Sequence, residues 1–219
     1  MELGGQDEPP ASPPRLRGRL HQAALFVAVP AVSALIILAR PGKARFVSGV
    51  YGATLVGLYC TSTLYNRSLG TSRLRPWMRW LDHAMIYVLI AGSYTPMLVL
   101  VAPKPWGVVA LWAVWAAAAL GVLVKCTRLR VFRRLAGAWY VVMGWACVLA
   151  LPMLVPRLAP KAVALLAGGG VLYTLGAVVL YLRRPDPRPT VFGYHEIWHT
   201  FVVAASACHF ALSWMLVRT

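Results

Sequence analysis

Two histidines, His195 and His199, stand at positions i and i+4 of a stretch that is otherwise largely apolar. On an α-helix this spacing places both imidazoles on one face, one turn apart. Two imidazoles in that arrangement can bind one metal ion, as they do in helical zinc sites. The alternative, a packed pair without a ligand, is disfavoured inside a membrane because unpaired imidazoles are costly there. We therefore predict that His195 and His199 are metal ligands.

Three more polar residues lie at the ends of neighbouring apolar stretches. Ser62 and Asn66, again at i and i+4, end one stretch, and Asp82 begins the next. Beside a metal, a carboxylate such as Asp82 can orient water or act as a general base, and the Ser62 hydroxyl can stabilise an oxyanion. The structural alternative is that Asp82 only caps the N-terminus of its helix, where a carboxylate is favourable. Both interpretations remain open from the sequence.

The elements that position these residues are seven apolar stretches, each near the roughly 20 residues that a bilayer-spanning helix needs. The 219-residue chain is 59% hydrophobic and only 13% charged, against about 25% charged in a soluble domain. We predict an all-α bundle of seven transmembrane helices within residues 21–219, preceded by a disordered cytoplasmic tail, residues 1–20. The predicted spans are about residues 22–39, 46–66, 82–102, 106–124, 137–155, 162–182 and 195–217.

The charge of the connections predicts the orientation. Most of the 22 Lys and Arg residues fall in the N-terminal segment and in the second, fourth and sixth connections. The positive-inside rule then places the N-terminus in the cytoplasm and the C-terminus outside, as a multi-pass protein of the plasma (inner) membrane. In this orientation the cytoplasmic arginines bind anionic lipid headgroups, so the net charge of +16 does not indicate a nucleic-acid partner. The partners we expect are membrane lipids, and the sequence indicates no oligomeric state.

The same orientation sorts the remaining titratable residues. Ser62, Asn66, Asp82 and the histidine pair all come to the cytoplasmic ends of their helices. Glu196 is predicted to pair with a cytoplasmic arginine. His209 lies about 15 Å deeper than His199, at 1.5 Å per helical residue, and is interpreted as structural. His21, at the start of the first span, is interpreted as an interfacial residue.

Four short runs, in order along the chain, resemble a known family. Residues 57–65 resemble the second helix of the hemolysin III family, residues 81–96 its third, and residues 194–199 and 205–210 its seventh. That family belongs to the progestin and adiponectin receptor (PAQR) superfamily. The resemblance implies a seven-helix membrane fold with the N-terminus inside and a zinc ion bound by three histidines near the cytoplasmic face.

Carried onto this sequence, the implied site is incomplete. Two of the family's histidines match His195 and His199, its aspartate matches Asp82, and its serine matches Ser62. The third histidine would end a Ser-x-x-x-His motif, and Asn66 stands in its place. An amide carbonyl is a poor zinc ligand beside imidazole. Three possibilities follow: Asp82 joins the two histidines as a ligand, the site binds metal weakly, or it has lost its metal.

The resemblance implies a zinc-dependent hydrolase acting on a lipid amide or ester, because the superfamily is similar to alkaline ceramidases in this arrangement. Zinc is the expected cofactor, and no organic cofactor is expected. Two alternatives of other classes stay open. One is the pore-forming, hemolysin-type activity that the family name implies. The other is a non-catalytic membrane sensor or homeostasis protein whose metal site has degenerated, which Asn66 makes plausible.

Overall fold

The computed structural model describes residues 14–67, 73–126 and 139–218. Within these ranges the regular structure is helical, apart from one isolated bridge between Arg188 and Phe192, which confirms the predicted all-α class. Residues 1–13 of the predicted tail lie outside the described residues. The seven helices are α1 Arg19–Leu38, α2 Lys43–Arg67, α3 Arg75–Leu100, α4 Trp106–Cys126, α5 Trp139–Arg157, α6 Pro160–Leu182 and α7 Tyr194–Arg218.

Six of these helices are long and apolar enough to cross a membrane, and α2 is the exception. With 25 residues α2 has the length, but it carries several hydroxyl side chains. Some of these groups are satisfied within the helix: the Ser48 and Thr61 hydroxyls donate to the carbonyls of Ala44 and Gly57, at 2.7 and 2.9 Å. Such local bonds remove much of the cost of polar groups in an apolar medium. The Thr63 hydroxyl is buried without a partner among the described residues. A seventh span at α2 stays a prediction.

Helix α7 occupies a central place in the bundle. It packs along α6 and also contacts α1, α2 and α3, while α2 packs between α1 and α3. One apolar cluster joins α1, α2 and α7 around Leu35, Val47 and Tyr51. A second cluster includes Tyr87 of α3 and Leu154 of α5. Near the start of α7, Glu196 and His199 are buried, whereas Thr200 is exposed.

The start of α3 differs from the prediction. The helix begins at Arg75, with Leu74 at the N-cap and a proline in the first turn, where its missing N–H costs nothing. Asp82 consequently lies in the helix interior, about two turns in. The interpretation of Asp82 as a helix cap is wrong, because a more N-terminal residue fills that position and the Asp82 carboxylate is available for other contacts.

The end of the predicted tail is folded where the structure describes it. Residues 15–18 form a turn and α1 begins at Arg19. The backbone N–H groups of Arg15 and Leu16 donate to the carbonyls of Thr190 and Val191, at 3.0 and 3.2 Å. These bonds attach residues 14–18, which we call the N-terminal clamp, to the connection that precedes α7.

Close approach of α6 and α7 depends on two glycines of α6. A Cβ atom added at Gly176 would lie 2.7 Å from the Trp198 ring and 2.8 Å from Cβ of Phe201. A Cβ atom added at Gly169 would collide with the His209 ring and would lie 3.4 Å from the Ala205 carbonyl oxygen. The flanking Gly168 and Gly170 have nothing within 4 Å of such an atom. Only the middle glycine of this triplet is therefore required by the packing.

We predict that Gly169→Ala lowers the free energy of unfolding by about 1–3 kcal/mol, the usual cost of overpacking. Gly168→Ala and Gly170→Ala are matched controls on the same helix. Each should be neutral or stabilising by up to about 1 kcal/mol, because alanine is the better helix former. Thermal unfolding of the three variants in detergent measures the difference. Equal midpoints for all three would contradict the assignment of Gly169 as a contact point.

Candidate functional site

Three imidazoles meet where α1 packs against α7. The rings of His21 and His199 are stacked, with centroids 3.8 Å apart and planes within 5°. The His195 ring lies 4.5 Å from that of His199, tilted by 57°. His21 and His199 are each only 3% exposed. We call His21, His195 and His199 the histidine cluster.

Ser62 connects this cluster to α2 and α3. Its hydroxyl oxygen lies 2.8 Å from Nδ1 of His21, and the Asp82 side chain of α3 is close enough to interact with it. Asn66 lies one turn further along α2, and its amide nitrogen donates to the carbonyl oxygen of Ser62 at 2.9 Å and to the hydroxyl at 3.2 Å. The structure thus brings the five predicted site residues into one cluster of polar side chains, which α2, α3 and α7 contribute. Whether they bind metal or catalyse a reaction stays a prediction.

His21 is not recognisable as a site residue from the sequence. Its position predicts an interfacial residue, and that prediction is wrong, because the side chain is buried against His199 and Ser62. One signal in the sequence is nevertheless consistent with a place in the site. With the N-terminus inside, His21 begins its helix at the same membrane face as His195 and Asp82. The packing of α1 beside α7, which no pattern in the sequence predicts, was the missing information.

The placement of His21 depends on a close approach between α1 and α2. Gly18, which precedes α1, has φ +76°, a conformation that L-residues rarely adopt. A Cβ atom there would lie 2.9 Å from Cβ of Asn66 and 3.2 Å from Cγ of Arg67. The first turn of α1 therefore rests directly on the last turn of α2, and this contact brings His21 to Ser62.

A buried acid holds the other side of the site. Glu196 is 1% exposed, and its Oε1 atom lies 3.4 Å from Nε of Arg17. Its Oε2 atom accepts a hydrogen bond from the Gly193 N–H at 3.0 Å. The predicted pairing of Glu196 with an arginine is confirmed. Arg17 is close enough to His195 to act on it electrostatically. Because Glu196 balances the charge of Arg17, it reduces the positive potential at the histidine cluster.

Comparison with known proteins identifies the family. A family model described as "Haemolysin-III related" matches residues 11–210. The chain belongs to the haemolysin-III family. It is 35% identical over 193 residues to "Hemolysin-3" of Bacillus cereus, which covers 87% of this chain and 85% of that protein. "Hemolysin-3 homolog" of Bacillus subtilis (strain 168) is 33% identical over 193 residues, 87% of each protein.

A more distant relative is "Monocyte to macrophage differentiation factor" of Homo sapiens, 29% identical over 198 residues, which are 86% of this chain and 79% of that protein. No solved structure matches the chain. The predicted hemolysin III resemblance is therefore confirmed. Membership of the haemolysin-III family, together with the apolar helices, makes this chain a membrane protein.

The donors at this haemolysin-III site suit a zinc ion. Three ring nitrogens of the cluster are buried without a hydrogen-bond partner among the described residues: Nε2 of His21, Nε2 of His195 and Nδ1 of His199. Imidazole nitrogens are preferred zinc ligands. The same residues do not yet form a closed site, since no three His, Cys, Asp or Glu side chains in the described ranges are arranged to hold one ion.

The stacking explains this mismatch. An imidazole binds a metal through a lone pair in the plane of its ring. The planes of His21 and His199 are nearly parallel, so their lone pairs do not converge on one point. The donor set therefore fits zinc in its chemistry, and binding requires that at least one of these two rings turn.

We predict that Glu196→Gln destabilises the protein by about 2 kcal/mol, because Arg17 loses a charged partner in a largely buried position. The matched control is Asp186→Asn. Asp186 also caps the start of α7, since its Oδ1 accepts the Tyr194 N–H at 3.0 Å, but it is exposed. Asparagine caps about as well as aspartate, so this change should stay within about 0.5 kcal/mol. Unfolding midpoints in detergent that are equal for both variants would show that the buried ion pair contributes nothing.

Proposed function

We propose that this chain is a seven-span protein of the plasma (inner) membrane, with its N-terminus in the cytoplasm, that binds zinc near the cytoplasmic face and hydrolyses a lipid amide or ester. The observation that supports the proposal is the burial of the histidine cluster against Ser62 and Asp82 at one end of an apolar bundle. Buried ring nitrogens without hydrogen-bond partners in the part of the chain that the structure describes are costly inside a membrane, and such a cost favours a functional site.

The residues divide into binding and reacting roles. His195 and His199 hold the ion through their unpartnered nitrogens. Zinc, when bound, supplies a Lewis acid that polarises a carbonyl and acidifies a coordinated water. Asp82, whose side chain is 17% exposed, orients the attacking water and accepts its proton. The Ser62 hydroxyl donates to the developing oxyanion, and Asn66 holds Ser62 in place through two hydrogen bonds.

The position of the site indicates a lipid substrate. A bond between an acyl chain and a polar headgroup lies at the boundary between apolar and polar layers, which is also the depth of the helix ends that carry the site. Arginines surround this end of the bundle, and those that the structure describes at the ends of α2, α3 and α6 are exposed. They can bind anionic headgroups. They are Arg67, Arg73, Arg75, Arg79, Arg183, Arg184 and Arg188.

The proposed orientation has a direct test. A reporter that is active only outside the cytoplasm, such as alkaline phosphatase, should be active when fused after Arg218 and inactive when fused before Met1. Green fluorescent protein at the same two positions should give the opposite result, because it fluoresces when it folds in the cytoplasm. Activity of the phosphatase at both ends, or at neither, would contradict seven spans, because an odd number of spans puts the termini on opposite sides.

We predict that the purified protein carries about one zinc ion per chain and releases fatty acid from a ceramide-like lipid. The variant His195→Ala/His199→Ala should lose both the metal and the activity. Asp82→Asn, which keeps the shape of the side chain, should lower turnover by about 100-fold or more and keep the metal. Elemental mass spectrometry and a fatty-acid assay over a panel of lipid amides and esters measure the two properties. Absence of turnover across the panel in the zinc-loaded wild type would refute the hydrolase.

Two other functions remain candidates, each favoured by one observation. The name "Hemolysin-3" of the Bacillus cereus relative favours a pore-forming protein. Such a protein would release dye from liposomes, and His195→Ala/His199→Ala would leave that release intact. Asn66, hydrogen-bonded to Ser62 in the place of the family's third histidine, favours a sensor with a degenerate site. A sensor would show neither turnover nor leakage.

A further inference from the structure

Asn66 does not act as a ligand in the arrangement that the structure shows. Its amide nitrogen donates to two oxygens of Ser62, so the side chain is folded back on its own helix. An amide is also a weaker zinc donor than an imidazole. A site that depended on residue 66 would therefore hold the ion with two histidines only, which is fewer than the three protein ligands of catalytic zinc sites.

A third imidazole is nevertheless present, and it comes from a different helix. His21 of α1 stacks on His199 and is as deeply buried. Gly18 lets the first turn of α1 rest on Asn66 itself, with only 2.9 Å between an added Cβ atom and Cβ of Asn66. The ring of His21 thus stands beside the position that the family's third histidine would use.

The hydrogen bonding of His21 leaves its other nitrogen free to bind a metal. Nδ1 is engaged with the Ser62 hydroxyl at 2.8 Å, and Nε2 is buried without a partner among the described residues. In metal sites, a hydrogen bond at one ring nitrogen of a ligating histidine fixes the tautomer and the orientation, and the other nitrogen binds the ion. Ser62 supplies that bond here.

We infer that His21 is the third zinc ligand of this chain, in place of Asn66. The inference rests on the proposed zinc site and changes its third ligand. The family's motif places that histidine on the second helix, and here it comes from the first helix. His21 binds through Nε2, with Ser62 as the positioning residue, and His195 and His199 complete the set. Because Ser62 holds the ring of His21, the ring of His199, whose Nδ1 has no partner among the described residues, turns out of the stack so that both nitrogens reach the ion.

The variant that tests this is His21→Phe, which keeps an aromatic ring to stack on His199 and removes the nitrogens. We expect its zinc affinity, measured by competition with a chromophoric chelator, to fall by at least about 100-fold, the upper end of the loss caused by removing an outer-shell partner. With cobalt(II) as the probe, its ligand-field spectrum should also change, because one nitrogen ligand is lost. His83→Phe is the matched control. His83 is near the site but partly exposed and bonded to the Arg79 carbonyl, so the affinity should be unchanged.

A second-site substitution distinguishes a ligand from a packing residue. In His21→Phe/Asn66→His the imidazole returns at the family's position, and zinc affinity should recover to within about 10-fold of the wild type. An affinity in His21→Phe equal to that of the wild type would overturn the inference and leave the proposed zinc site standing. A loss that Asn66→His does not reverse would also overturn it, since His21 would then act by packing. Wild-type protein that binds no zinc would refute the proposed site and the inference together.

Discussion

The structure at one end of this bundle is governed by a single constraint: polar side chains buried in an apolar membrane protein must find partners among themselves. The cost of an unpaired polar group in an apolar medium is several kcal/mol, and four helices bring such groups together here. The Ser62 hydroxyl is bonded to His21 and to Asn66 at once, and the Asp82 side chain is close enough to interact with it. Because Ser62 lies on α2 and His21 on α1, their hydrogen bond joins two helices, and Asp82 brings α3 to the same point.

The same constraint explains the N-terminal clamp. Arg17 and Glu196 carry opposite charges at the same end of the bundle as the histidine cluster. Burying either charge alone would be energetically costly. Their pairing, together with the backbone bonds from Arg15 and Leu16 to the connection before α7, joins the start of α1 to the start of α7. The stacking of His21 on His199 is then a consequence of this junction. The segment that composition marks as a disordered tail is, in its last residues, the element that assembles the site.

Much of the fold could be predicted from the sequence, because each helix is encoded locally. Apolar runs long enough to cross a bilayer define six of the seven helices, and the i, i+4 histidine pair lies on α7 as expected. The errors concern ends and contacts. Helix α3 extends N-terminally to Arg75, since an amphipathic turn such as Pro76–Trp80 continues a helix without adding to the apolar run. The burial of His21 follows from Gly18 packing on Asn66, and such a contact leaves no periodic pattern in the sequence.

Family membership and site chemistry need separate arguments for this chain. The haemolysin-III match covers nearly the whole bundle, yet a fold does not determine the reaction that its members perform. At position 66 the sequence departs from the motif that the resemblance implies, and a comparison of motifs alone would count one ligand as lost. The proposed ligand set changes that conclusion, because a ligand is defined by where its nitrogen lies and not by which helix carries it. In that proposal α1 supplies the imidazole that α2 lacks, and the Ser62 hydroxyl on α2 orients it. The amide at residue 66 and the burial of His21 then belong to one arrangement of the site.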